Sequence, residues 1–120
     1  KDVKVKIIYF PETLRVLKSD WEQYEARLFE YQTIDILCID DIGAEKVSEW
    51  GRDEVLGTIL QARMNRNLTT FFTSNLSIEE LEVHLSESKD KIDKIKAKRI
   101  IERIKFITDD LTLISENKRN

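Results

Sequence analysis

The sequence predicts an α/β fold, a mainly parallel sheet flanked by helices. Three observations predict it. Short β-branched or aromatic runs alternate with helical patterns along the chain. One run, Ile34 to Ile39, is apolar without helical periodicity, as suits a strand buried on both faces of a parallel sheet. One proline and three glycines in 120 residues favour long helices over a turn-rich β fold.

The elements follow in order. Val3 to Phe10 reads as a strand, and Pro11 opens a helix at its first position. Leu14 and Leu17 share one face of that helix. Trp21, Tyr24, Leu28 and Tyr31 continue at helical spacing. Ile34 to Ile39 is the next strand, and it stops on two adjacent carboxylates, Asp40 and Asp41. Asp41 to Ser48 reads as a loop. Glu49 to Arg66 reads as one long amphipathic helix, with Val55, Leu56, Ile59, Leu60 and Met64 as its buried stripe. Thr69 to Thr73 is a short β-branched and aromatic strand. Ser77 and Glu80 form a capping-box pattern ahead of Ile78, Leu81 and Leu85. Ser86 to Asp93 reads as a charged loop. A helix over about Ile95 to Ile107 presents Ile100, Ile104 and Ile107. Leu111 to Ile114 is a last short strand before a polar tail.

Composition narrows the function classes. A chain of this length is one domain or part of one. The 41% hydrophobic content permits a core, and the 36% charged content mixes both signs, which argues against disorder. A net charge of −3 gives no global attraction to nucleic acid. A lone cysteine, Cys38, excludes an internal disulfide framework and reads as a small core residue. No apolar stretch approaches the roughly 20 residues of a membrane span. No signal peptide is visible, so a cytoplasmic location without membrane contact is the expectation.

Three constellations could carry chemistry. Asp40 and Asp41 lie where open α/β sheets place their ligands. In P-loop nucleotidases an acid there holds the magnesium of a bound nucleotide. Asp40 is the candidate metal-associated acid, Asp41 could orient or activate a water, and both could equally be solvated loop aspartates. Glu45, in the same loop, reads as a surface acid. Asn75 closes the Phe71-Phe72-Thr73-Ser74-Asn75 run and could hydrogen-bond a water and a γ-phosphate, or simply turn the chain. Lys96, Arg99 and Arg103 form one helical stripe with no obvious local acid. That stripe suits an arginine finger offered to a neighbouring subunit, a solvated basic face, or a contact to a nucleic-acid backbone. The chain contains no Gly-rich turn followed by Gly-Lys-Ser/Thr, so no phosphate-wrapping loop is present in it. The expectation is that it begins downstream of that motif.

Taken together the motifs resemble a known family. Ile36-Leu37-Cys38-Ile39-Asp40-Asp41-Ile42-Gly43-Ala44-Glu45 looks like the Walker B motif of bacterial replicative helicase loaders. Trp50-Gly51-Arg52-Asp53-Glu54-Val55 follows as in the Gram-positive branch. Leu68 to Asn75 resembles the sensor 1 strand, and Lys96 to Ile104 the arginine-finger helix. The resemblance runs from Val5 over nearly the whole chain. The chain is therefore identified as resembling the AAA+ domain of the DnaC/DnaI family, without its Walker A segment. Residues 1–120 would be the C-terminal part of one AAA+ domain, with no second domain.

The resemblance implies roles for matching residues. Asp40 would be the Walker B metal acid, reaching magnesium through water, and Asp41 the following catalytic acid. Asn75 would be sensor 1. Arg103 would be the finger with Arg99 beside it. Arg119 would match sensor 2. The family implies ATP and magnesium as cofactors of the complete domain, and an ATPase activity that this chain is not expected to show alone. It implies as partners a replicative helicase hexamer, single-stranded DNA and further copies of the chain across the arginine-finger face. Two other functions compete. One is an IstB-like transposase-helper ATPase, whose branch more often carries Asp-Glu after the strand. The other is a non-catalytic interaction module derived from the AAA+ fold.

Overall fold

The computed structural model describes residues 2–86, 90–108 and 114–115. Four parallel strands form the sheet: β1 Val5–Tyr9, β2 Ile36–Asp40, β3 Thr69–Ser74 and β4 Ile114–Ser115, side by side in chain order. The register pairs Val5 with Ile36 and Tyr9 with Asp40, then Ile36 with Thr69 and Ile39 with Phe72. Thr73 pairs with Ile114 and Ser74 with Ser115. The strand around Val5 thus borders that around Ile36, which borders that around Phe71. The expected last strand is drawn in directly against β3; its residues 111–113 lie outside the described residues.

Helices fill the crossovers. They are α1 Phe10–Ser19, α2 Trp21–Thr33, a π-helical turn Trp50–Leu56 that runs into α3 Gly57–Asn65, then α4 Ile78–Leu85 and α5 Lys91–Thr108. Local chemistry sets their ends. Pro11 sits in the first turn of α1, and the Asp20 carboxylate accepts the Gln23 amide at the start of α2. Ser77 and Glu80 complete the expected capping box of α4.

Among the described residues the helices cover one sheet face. Ile8, Leu37, Ile39 and Phe72 point into a core with Phe10, Leu17, Val55, Leu56, Ile59, Leu60, Leu81, Leu85, Ile100, Ile101 and Ile104. The alternate residues Val5, Ile7 and Tyr9 are 58%, 69% and 49% exposed, and Phe71 is 36% exposed. Strand alternation explains the split, since successive side chains take opposite faces. In β2, the strand that the apolar run predicts to be buried on both faces, Leu37 and Ile39 are buried while Ile36 and Cys38 on the other face are half-buried.

Several boundaries differ from the sequence reading, each for a local reason. Ile34 does not join β2, because its amide caps α2 on the Glu30 carbonyl. The charged loop ends earlier and α5 starts at Lys91, where the Asp90 carboxylate accepts the Asp93 amide at 2.8 Å. The single helix from Glu49 divides into π and α parts. Within it Met64 is only half-buried, and Arg63 takes the interior position instead.

Candidate functional site

The acid pair is built at the C-terminal edge of the sheet. β2 ends on Asp40, and Asp41 turns the chain with φ of 66°, a left-handed conformation that aspartate tolerates better than most residues. The end of β3 holds this turn. The Thr73 hydroxyl donates to Asp40 Oδ1 and accepts the Asp41 amide at 2.7 Å. The Thr73 carbonyl accepts the Ile42 amide at 2.9 Å, and the Ser74 hydroxyl donates to the Ile42 carbonyl at 2.6 Å. Gly43 follows at φ of 99°, a conformation that strains any other L-residue, and a Cβ there would come 2.8 Å from Leu76 Cδ1 and push it aside. Glu45 braces the loop by accepting the Gly43 amide at 3.0 Å.

Tyr9 completes the row. It lies opposite Asp40 in register, on the exposed side of β1. Burial first, then the charges of Asp41 and Asp40, raise its phenol above the ordinary tyrosine pKa. Asn75 stands one residue beyond β3 on the same sheet edge and is exposed, its side chain making no hydrogen bond among the described residues. Asp40, Asp41 and Asn75 are therefore brought to one edge. Neither Tyr9 nor Thr73 was singled out from the sequence. Period-2 alternation in the three strands, combined with the parallel register, is the signal that aligns them with Asp40.

The arginine stripe lies elsewhere. Arg99 and Arg103 line a cavity of about 210 Å³ together with Asp53, Gly57, Lys96 and Ile100. Lys96 does have an acid, Asp53 at 3.5 Å, supplied by the π-helical turn. Arg99 and Arg103 make no ion pair among the described residues. Arg119 lies outside the described residues.

Two buried guanidinium groups frame these features. Arg52 binds Asp53 at 2.7 Å and Asp93 at 2.6 Å, and donates to the Leu85 carbonyl, tying the π-helical turn to α4 and α5. Asp53, with Asp93, raises the Arg52 pKa, and Arg52 in turn lowers that of Asp53. Arg63 is fully buried at the opposite sheet end, donating to the carbonyls of Tyr31, Ile34, Asp35 and Thr69 and to the Thr70 hydroxyl. Burial pushes its pKa down to about 10.

A second surface feature borders the acid loop. A groove of about 330 Å³ runs between α1 and the loop, with Arg15, Lys18, Lys46 and Trp50 in its wall. Lys18 Nζ sits 5.6 Å from the Trp50 ring centre. Tyr24 stacks on Trp50 at 6.2 Å, and Trp21 tilts against Tyr24 at 5.2 Å.

Comparison with known proteins gives this geometry its relatives. No family model matches the chain. It is 41% identical, over an alignment of 123 positions, to the replicative helicase loader DnaI of Bacillus subtilis (strain 168). That alignment takes in all of this chain and 40% of the relative. A crystal structure of DnaI superposes with a TM-score of 0.81 at 39% identity, over 96% of this chain and 58% of that one. The chain is related to the DnaI-type helicase loaders along its whole length. Its fold is accordingly a partial AAA+ core, three parallel strands with flanking helices and a two-residue fourth. This DnaI-type chain spans less than half of the curated relative it matches. No helix among its described residues is long and apolar enough to cross a membrane.

The acid edge can be tested against magnesium. No cluster of three or more His, Cys, Asp or Glu side chains exists among the described residues. A metal here would take an oxygen of Asp40 and fill its other positions with water and phosphate. Magnesium favours that donor set in nucleotide sites, so the residues present fit it.

Proposed function

We propose that this chain forms the acid-bearing part of an ATP-hydrolysing loader that helps place a replicative helicase hexamer on single-stranded DNA. The observation that supports the loader reading is 41% identity, along the whole chain, to a protein named as a replicative helicase loader. For the chemistry, support comes from two carboxylates and Asn75 on one sheet edge, where α/β folds bind ligands. Asp40 would reach magnesium through water, and Asp41 would orient and deprotonate the attacking water. Asn75 would hydrogen-bond that water or the γ-phosphate. Bound magnesium would neutralise developing charge on the phosphates. Phosphate-wrapping backbone is not part of these 120 residues, so the chain alone should bind ATP weakly.

Arg103, with Arg99 beside it, would reach the γ-phosphate of a neighbouring copy, which requires self-association through the α5 face. They line a cavity that none of Asp40, Asp41 and Asn75 lines, which suits action in trans. Arg119 would follow as a sensor 2 contact. In the full-length gene product, Arg103→Ala should leave nucleotide binding nearly intact and cut hydrolysis by about 10³-fold. Asp41→Asn should also cut hydrolysis, but within the active subunit. Mixing the two inactive proteins should restore some turnover, because a mixed interface pairs an intact Asp41 with an intact Arg103. A mixture that assembles and stays dead removes Arg103 from the role and passes it to Arg99.

The groove beside Trp50 suits the backbone of the DNA strand, since Arg15, Lys18 and Lys46 in its wall can meet phosphates. Lys18→Ala combined with Lys46→Ala should weaken single-strand binding and make it less sensitive to salt in a fluorescence titration. Unchanged affinity would place the strand elsewhere.

A further inference from the structure

We propose that Thr73 is a positioning residue for the acid pair, its single hydroxyl setting both carboxylate-bearing residues at the end of β2. The inference rests on the ATP-hydrolysis reading above. Geometry carries it. The Thr73 oxygen accepts the Asp41 amide at 2.7 Å, so its one proton is committed to Asp40 Oδ1. One carboxylate oxygen of Asp40 is thereby occupied, and the other is left for a metal-bound water. The Asp41 amide is held at the same time, which fixes the left-handed turn that aims its side chain. Such a conformation is disfavoured for most L-residues and persists where neighbouring structure enforces it. The enforcing groups here are the Thr73 hydroxyl and carbonyl and the Ser74 hydroxyl, all from β3.

A threonine suits this task for a physical reason. Its β-branch restricts χ1 in a strand, so the hydroxyl is presented in one direction. Asn75 lies two residues further along the same backbone, so one strand end sets the acids and the amide together. Without the hydroxyl, Asp40 is free to rotate and Asp41 loses its amide acceptor, while the bulk of the residue need not change.

The test uses Thr73→Val and Thr73→Ser in the full-length gene product. Valine keeps the shape and removes the hydroxyl; serine keeps the hydroxyl and removes the methyl. Thr73→Val should lower kcat for ATP by about tenfold or more with KM for ATP changed less than about threefold, the pattern of an interaction that matters in the transition state. Thr73→Ser should restore most of the rate. A valine protein with unaltered kcat, or a serine protein as slow as the valine one, overturns the proposal. Should the valine protein fail to fold, Thr73→Ala provides the second hydroxyl-free variant under the same criteria. Amide exchange at Asp41 gives a readout independent of turnover. It should quicken by about tenfold or more in the hydroxyl-free variant and not in the serine variant, as expected for a lost protecting bond. If the unaltered protein hydrolyses no ATP, the ATPase reading fails by itself. The Asp41 exchange rates then decide the Thr73 assignment, and equal rates in all variants overturn it.

Discussion

Arg63 shows how a charged residue can belong to the core. Its guanidinium has five N–H donors in a rigid fork, and at the N-terminal end of the sheet four carbonyls and one hydroxyl converge on it. Three segments are pinned by that one side chain: the end of α2, the start of β2 and the start of β3. Each acceptor left buried and unpaired costs about 1–3 kcal/mol. Arg63→Met should therefore destabilise by about 3 kcal/mol or more in chemical denaturation. Arg63→Lys should fall between, because an ammonium carries three donors on a point charge and cannot reproduce the fork. A loss below about 1 kcal/mol for the methionine variant would show that water replaces the guanidinium.

At the scale of one element, β1 separates two environments within a single peptide bond. Ile7 is 69% exposed and Ile8 is 4% exposed. Ile8→Ala should cost about 2–5 kcal/mol, as large-to-small core changes do. Ile7→Thr should stay within about 0.5 kcal/mol, as exposed changes usually do. Equal costs would mean that the outer face is covered in solution. The same alternation explains what the sequence could and could not reveal. The strand positions, the acid tips and the capping box at Ser77 were legible because they depend on local pattern. Tyr9 and Thr73 were not, because only register across three strands brings them beside Asp40. Arg52 and Arg63 were not singled out, since Asp93 and the carbonyls that hold them lie on other elements. The start of α5 was hidden because Asp90 resembles any charged loop residue until its carboxylate meets the Asp93 amide. Asp40, Asp41 and Asn75 were legible together, whereas the separation of Arg99 and Arg103 from them depends on how α5 packs.

For the molecule as a whole, strand order equals chain order. Crossovers between parallel strands are right-handed as a rule, and stepping in one direction they would place their helices on the same side, which accounts for the one face covered among the described residues. The same arrangement bears on how the polypeptide emerges during synthesis. Val5 meets Ile36 after thirty-one positions, Ile36 meets Thr69 after thirty-three, and Thr73 meets Ile114 after forty-one. Closing these loops differs in cost by only about 0.2–0.3 kcal/mol, because closure entropy grows with the logarithm of length. Among the described residues no strand must be inserted between two already paired, so a nascent chain can extend its sheet one strand at a time, each addition resting on the one before. Among the described residues the last addition has two rungs against four or five in the others. In native-state hydrogen exchange the β3–β4 amides should open at the lowest free energy, ahead of those between β1, β2 and β3. Loss of protection at one common free energy would mean instead that the sheet comes apart as a single cooperative unit, and that the order in which it was made leaves no trace in how it opens.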